Sequence, residues 1–184
     1  SGVTVDFYIN DDTAWLRKAV RWVVNIVVAI ACGWFLVYGF GEQVLISGNS
    51  MQPQLSAQDV VLMNRIIYVT GTPDRFDVVV FEREDGKKNV KRIIGLPGET
   101  VQIRDNRVYI NGEPLKEDKM GEVSLAGRAA DPVRLGEKEY FLLGDNRGSS
   151  EDSRFPNIGN VKREQILGKA WFRMLPLLHL GFVS

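Results

Sequence analysis

Hydrophobic positions fall into two regimes along the chain. From Trp22 to Phe40 the sequence WVVNIVVAIACGWFLVYGF carries no charge and only Asn25 as a strongly polar residue. Its 19 residues approach the length a helix needs to cross a bilayer, about 20 residues. Beyond Phe40 the apolar runs are short and β-branched: 60–62, 65–69, 77–81, 90–94, 101–103 and 108–110. Turn residues punctuate them, which predicts strands. Asp105-Asn106 separates two alternating runs and Asn111-Gly112 ends the second, so residues 100–115 read as a hairpin followed by another tight turn. The expected fold is mainly β and antiparallel, preceded by one N-terminal transmembrane helix. Residues 113–136 are rich in Glu, Lys, Gly and Ala without clear periodicity, the signature of a surface excursion or small subdomain.

Charge orients the anchor. Arg17, Lys18 and Arg21 precede it and Glu42 comes after it, so the positive-inside bias puts the N-terminus in the cytoplasm and exports the chain beyond Phe40. This gives a cytoplasmic segment over 1–21, with 1–5 read as a remnant foreign to the protein, an anchor over 22–40 and an extracytoplasmic domain over 41–184. Ala29-Ile30-Ala31 before Cys32 has the look of a cleavage site, but Trp34, Phe35, Leu36 and Val37 prolong the apolar run past it. The anchor reading is kept. The apolar tail Met174–Val183, broken by Pro176 and His179, is too short to span and is expected to pack in the core rather than rest on the membrane.

Composition narrows the chemistry. With 23 basic and 23 acidic residues there is no global field for nucleic acid. A single Cys32 and a single His179 supply neither a disulfide nor a zinc-ligand cluster, so no metal or cofactor is expected. The same scarcity means that serine chemistry here needs a base other than histidine.

Three segments carry candidate chemistry. Ile46-Ser47-Gly48-Asn49-Ser50-Met51-Gln52-Pro53 surrounds Ser50 with small and turn-forming residues. In Val90-Lys91-Arg92-Ile93-Ile94, strand alternation points Lys91 and Arg92 oppositely, so one of the two is expected to face inward. Apolar burial disfavours an ammonium and lowers a lysine pKa, so a buried Lys91 could deprotonate Ser50. The loop Gly144-Asp145-Asn146-Arg147-Gly148-Ser149-Ser150-Glu151-Asp152-Ser153-Arg154 is dense in hydrogen-bonding groups. Either Asp152 with Arg154 or Asp145 with Arg147 could make the charge-assisted bonds that hold a reactive lysine.

Taken together, SGNSMQP, KRIIGLPGE and GDNRGSSEDSR, in this order after the anchor, resemble the motifs of bacterial type I signal peptidases. The resemblance implies a membrane-bound serine endopeptidase that removes N-terminal signal peptides from exported preproteins after Ala-x-Ala-type sequences. It makes Ser50 the nucleophile, Lys91 the general base and Ser150 a hydroxyl orienting the lysine, supported by Asp152 and Arg154. Shallow pockets for small side chains would be formed by Ile46, Leu55 and Val90. The family's oxyanion hole uses the nucleophile's backbone N–H, here that of Ser50, sometimes with a serine hydroxyl two residues earlier, where this chain has Gly48. Gln54 stands where a threonine is usual. The implied fold is antiparallel β with a small inserted β subdomain, here short, around 105–136. Implied partners are preprotein signal peptides and the lipid bilayer of the bacterial cytoplasmic membrane, which the chain would cross once. The sequence leaves the oligomeric state open. A self-cleaving Ser/Lys regulatory peptidase and an inactive membrane-tethered peptide-binding protein are the competing readings; the anchor and the GDNR loop oppose the first, and the presence of both Ser50 and Lys91 opposes the second.

Overall fold

A computed structural model describes residues 14–116 and 118–183, with side chains given from Trp15 and not for 35–40. Most of the N-terminal segment 1–21 thus lies outside the described residues. The chain divides into two units, Ser1–Gly39 and Phe40–Ser184.

In the first unit, helix α1 (Ala14–Phe40) has 27 residues, and from Val20 to Trp34 its apolar side chains are exposed. Among the described residues no helix is long and apolar enough to cross a membrane. The apolar side chains that continue the run through 35–40 are among those not described.

The second unit is two antiparallel sheets. The larger runs in the order β1 (Glu42–Leu45), β2 (Val60–Asn64), β11 (Ile166–Leu175), β3 (Val78–Glu82), β4 (Lys88–Gly95), β9 (Glu139–Leu143), β10 (Val161–Lys162), with β12 (Gly181–Phe182) paired to β11. A one-turn helix α2 (Ile67–Thr70) comes after β2. β3, with Val78, Val79, Val80 and Phe81 all buried, shows why the inner strands read as unbroken apolar runs. Val78 and Val80 join Val90, Met51 and Leu55 in one core, whereas Val79 and Phe81 join Ile93 and Leu142 in another. A sheet covered on both faces takes apolar residues at every position.

The smaller sheet runs β7 (Glu113–Pro114), β6 (Arg107–Ile110), β5 (Thr100–Arg104), β8 (Val133–Arg134). Its two turns are those the sequence predicts. Asp105 and Asn106 (φ 50° and 60°) and Asn111 and Gly112 (φ 51° and 86°) occupy the left-handed region that two-residue hairpin turns demand.

The C-terminal tail departs from expectation. Of its described residues only Val183 is buried; Leu177, Leu178 and Phe182 are 70, 94 and 77% exposed. Pairing of β12 on the outer end of β11 draws Phe182 against Trp171 and Phe172, at centroid distances of 6.1 and 5.4 Å, instead of into a core. An apolar patch is left on the surface.

Candidate active site

Ser50 lies in the turn after β1, and Lys91 in the middle of β4. Lys91 Nζ stands 2.6 Å from Ser50 Oγ. Lys91 is only 4% exposed, opposite Val79 in the β3–β4 register. Desolvation is the largest influence on it and lowers its pKa from 10.5 to about 8, with Asp152, Glu151 and Asp145 opposing the shift through their charges. An amine so lowered is neutral in about a tenth of the molecules at pH 7, against fewer than about one in a thousand for an unperturbed lysine. At this distance it can accept the hydroxyl proton of Ser50 as that oxygen attacks a carbonyl.

Both adjacent cations of β4 are buried, not one. Arg92, 2% exposed, donates from Nε and Nη2 to the two oxygens of Asp145 at 2.7 Å each, and from Nη1 to the Phe76 carbonyl at 2.8 Å. Its Nη2 also reaches the side-chain carbonyl of Gln54. A buried guanidinium is tolerable because its donors are met by a bidentate carboxylate and by carbonyls. Gln54 therefore ties the segment after Ser50 to the strand that carries Lys91.

Of the pairings open to the Gly144–Arg154 loop, Asp152 with Arg154 forms: Nε donates to Oδ1 at 2.8 Å and Nη2 to Oδ2 at 2.9 Å, with both residues buried. Asp145 with Arg147 does not, since Asp145 holds Arg92 and Arg147 reaches Asp118 at 2.8 Å. The Asp152 carboxylate also accepts the Gly144 N–H at 3.0 Å. Asn146, which the sequence does not single out, holds the nucleophile's turn: its N–H donates to the Ser50 carbonyl at 3.0 Å and its Nδ2 to the Asn49 carbonyl at 3.2 Å. Only its place in the motif beside Asp145 could have marked it. Ser150 comes in beside Gly144, which the Ser50 carbonyl oxygen also borders. Its hydroxyl is buried and has no hydrogen-bond partner among the described residues.

Ile46 and Val90 line a cleft beside the dyad together with Ser50, Met51, Lys91 and Leu45. Leu55 does not reach the lining; it is 1% exposed and packs in the same apolar core. Gly48 takes φ 87°, with nothing within 4 Å of the place a Cβ would occupy, so its backbone rather than crowding asks for glycine. His179 is exposed and contributes its carbonyl to Arg173 Nε at 2.6 Å, consistent with a histidine that plays no part in the site. Among the described residues no cluster of His, Cys, Asp and Glu could hold a metal.

A serine hydroxyl against a desolvated lysine, on an antiparallel β scaffold, is the equipment of a hydrolase that uses lysine where most serine enzymes use histidine. The family described as signal peptidase, peptidase S26, matches residues 19–175. Signal peptidase I T of Bacillus subtilis is 35% identical over 167 residues, covering 85% of this chain and 85% of that protein. Signal peptidase I of Leptolyngbya laminosa is 35% identical over 167 residues, covering 86% and 78%. A crystal structure of a signal peptidase I from Enterococcus faecalis is 35% identical, covers 54% of this chain and 97% of that one, and superposes with a TM-score of 0.46. The chain belongs to the signal peptidase family, peptidase S26, and is a serine endopeptidase.

Proposed function

We propose that this chain is a membrane-anchored signal peptidase that removes N-terminal signal peptides from exported preproteins after small residues of the Ala-x-Ala kind. The observation that carries the reading is the 2.6 Å contact between Ser50 Oγ and the buried Lys91 Nζ. Ser50 is the nucleophile and Lys91 the general base that takes its proton and later returns it to the leaving amine. Ser150 is given the orienting role by its place in the motif; in this structure its buried hydroxyl makes no hydrogen bond to any described residue, Lys91 included, and takes up that role only by turning toward the lysine. Asp152 and Arg154 brace Gly144 and the loop that brings Ser150 in. The Ser50 N–H serves the oxyanion. Gly48 adds no hydroxyl, so any second donor comes from elsewhere.

The anchor is residues 22–40, with the N-terminus cytoplasmic and the domain from residue 41 on the extracytoplasmic face of the bacterial cytoplasmic membrane. The uncharged run and the exposed apolar side chains of α1 support this, since a helix apolar on all sides needs a nonpolar surrounding. The surface patch of Leu177, Leu178 and Phe182 adds a second apolar face on the catalytic unit. The segment 105–136, which includes most of the smaller sheet, is assigned as the short inserted subdomain. Cleavage of a preprotein by the full chain in detergent, with the cut mapped by N-terminal sequencing, tests the reading; no cut, or a cut elsewhere than after the signal peptide, rejects it.

Activity should track the free-base form of Lys91. kcat/KM is expected to rise with pH through an apparent pKa of about 8 and to level off above it, because the base works only when deprotonated. A profile still climbing at pH ~10, the range of an unperturbed lysine, would remove Lys91 as a desolvated base.

Substrate choice depends on the cleft. Ile46 and Val90 leave little room beside Ser50, so alanine at the first position before the cut should be processed at least about tenfold faster than phenylalanine or lysine. A position scan in one preprotein measures this, and equal rates for alanine and phenylalanine would discard the pocket.

A further inference from the structure

Two strand edges near the dyad carry no neighbour among the described residues. β1 pairs only with β2, and β4 pairs with β9 only from Arg92 onward, leaving the flank from Lys88 to Lys91 open on that side. Both strands run toward the dyad, β1 toward Ser50 and β4 into Lys91, and the cleft lies between them. An extended peptide can add to such open edges through its backbone while its alternate side chains enter the cleft.

The two strands set a periodic row of side chains. By alternation Glu42 shares a face with Val44 and leads to Ile46, and Lys88 shares a face with Val90. Val44, Ile46 and Val90 belong to one apolar core, so this row is apolar next to the dyad and turns charged at its outer end. There Lys88 Nζ donates to Glu42 Oε1 at 2.7 Å, and Arg65 Nη1 donates to Glu42 Oε2 at 2.9 Å. The pair bridges β1 and β4, which are not neighbours in the sheet. Lys88 makes its ion pair with Glu42 and not with Glu82, its register partner on β3.

A bound peptide would carry the same period of two. On the reading proposed above, the first residue before the cut lies by Ser50 and Ile46, and the peptide extends away from the dyad along Val44 and Val90. The fifth residue then arrives about 13 Å upstream, four strand residues at ~3.3 Å each, on the same face as the first and third. That is the spacing from Ile46 to Glu42.

We propose that Glu42 and Lys88 form an outer subsite that reads the fifth residue before the scissile bond and favours an acidic or amide side chain over a basic one. The preference comes from the pairing. Glu42 is held by two cations, so an acidic side chain can draw Lys88 to itself while Arg65 stays on Glu42. A basic side chain instead competes with Lys88 and Arg65 for one carboxylate. The side chains of Lys88, Glu42 and Arg65 are 44, 30 and 60% exposed, so solvent screens them and the discrimination is modest, about threefold to tenfold.

The test uses the full chain in detergent and one preprotein, with the Ala-x-Ala sequence kept and Glu, Gln, Leu or Lys at the fifth position. The parent enzyme is expected to process the Glu and Gln forms about threefold to tenfold better in kcat/KM than the Lys form, and the gap should narrow in high salt. Lys88→Glu is expected to invert the preference toward Lys. An unchanged Glu-to-Lys ratio in Lys88→Glu, or no preference in the parent, overturns the subsite. Alanine against phenylalanine at the first position is measured in the same variants. If that discrimination survives while the fifth position is silent, the outer subsite alone fails; if it is absent in the parent, the cleft reading itself fails.

Discussion

Ser50→Ala and Lys91→Met should each reduce kcat/KM by at least about a thousandfold, within the range expected when a nucleophile or its base is removed. The double variant should be little worse than either single one, because the two groups act as a unit. Stability should move the other way for the lysine. The folded state lowers the Lys91 pKa from 10.5 to about 8 by desolvation, a difference equivalent to roughly 3 kcal/mol. Because the unfolded chain binds the proton more tightly, that cost is fully present below pH ~8 and fades as pH rises toward the ordinary lysine value. Lys91→Met, similar in size and never charged, should therefore melt at a higher temperature than the parent at pH 7, with the gain shrinking above pH ~8. Parental activity in Lys91→Met would sink the dyad, and a lower melting temperature at pH 7 would sink the account of its burial.

Gly144→Ala should be nearly as damaging, without touching a reacting atom. A Cβ at residue 144 would stand 2.1 Å from Ser150 Oγ, 2.5 Å from Ser150 Cβ and 2.5 Å from the Ser50 carbonyl oxygen. One methyl group would thus press on the nucleophile's backbone and on the hydroxyl assigned to orient the base. Meanwhile the Gly144 N–H is pinned by Asp152 at 3.0 Å, so the glycine cannot retreat easily. Displacement of a catalytic group by about 1 Å costs about a hundredfold, and kcat/KM should fall by at least that. Gly148→Ala, in the same loop with nothing within 4 Å of its Cβ, should stay near parental and serves as the control. Equal activity in the two variants would show that the close packing around residue 144 is not what positions the dyad.

Legibility in the sequence depends on the reach of each interaction along the chain. The turns at Asp105-Asn106 and Asn111-Gly112 are local, because the residues that need left-handed backbone are themselves the signal. The dyad joins residues 41 apart, and no periodicity links Ser50 to Lys91; only the motifs do. Alternation implies that one of Lys91 and Arg92 faces inward, but β4 lies between β3 and β9, and Asp145, 53 residues away, neutralises Arg92. Arg147 has no legible partner because Asp118 comes from a stretch without periodicity. The family resemblance puts Leu55 at the pocket, but the cleft is lined by Met51, and Leu55 packs in the core behind it. The tail reads as core because it is apolar, but apolar residues pack inward only where an element is available to cover them, and β12 has β11 beside it rather than over it.

The order of strands in the large sheet bears on when this enzyme can first act. Ser50 comes after β1 and belongs with the β1–β2 pair, whereas Lys91 belongs with the β3–β4 pair. These two hairpins are consecutive in the chain but do not touch in the sheet; β11, over one hundred residues later than β2, lies between them. Each hairpin can close locally and early, while the join between them waits for a distant strand, the slow step in folding rich in non-local pairings. During synthesis, a chain that has emerged as far as Lys91 holds both dyad residues but lacks the strand that sets their spacing. Proteolytic competence is therefore a late event in the life of the nascent chain, gained only when Ile166–Leu175 has emerged and docked between the two halves.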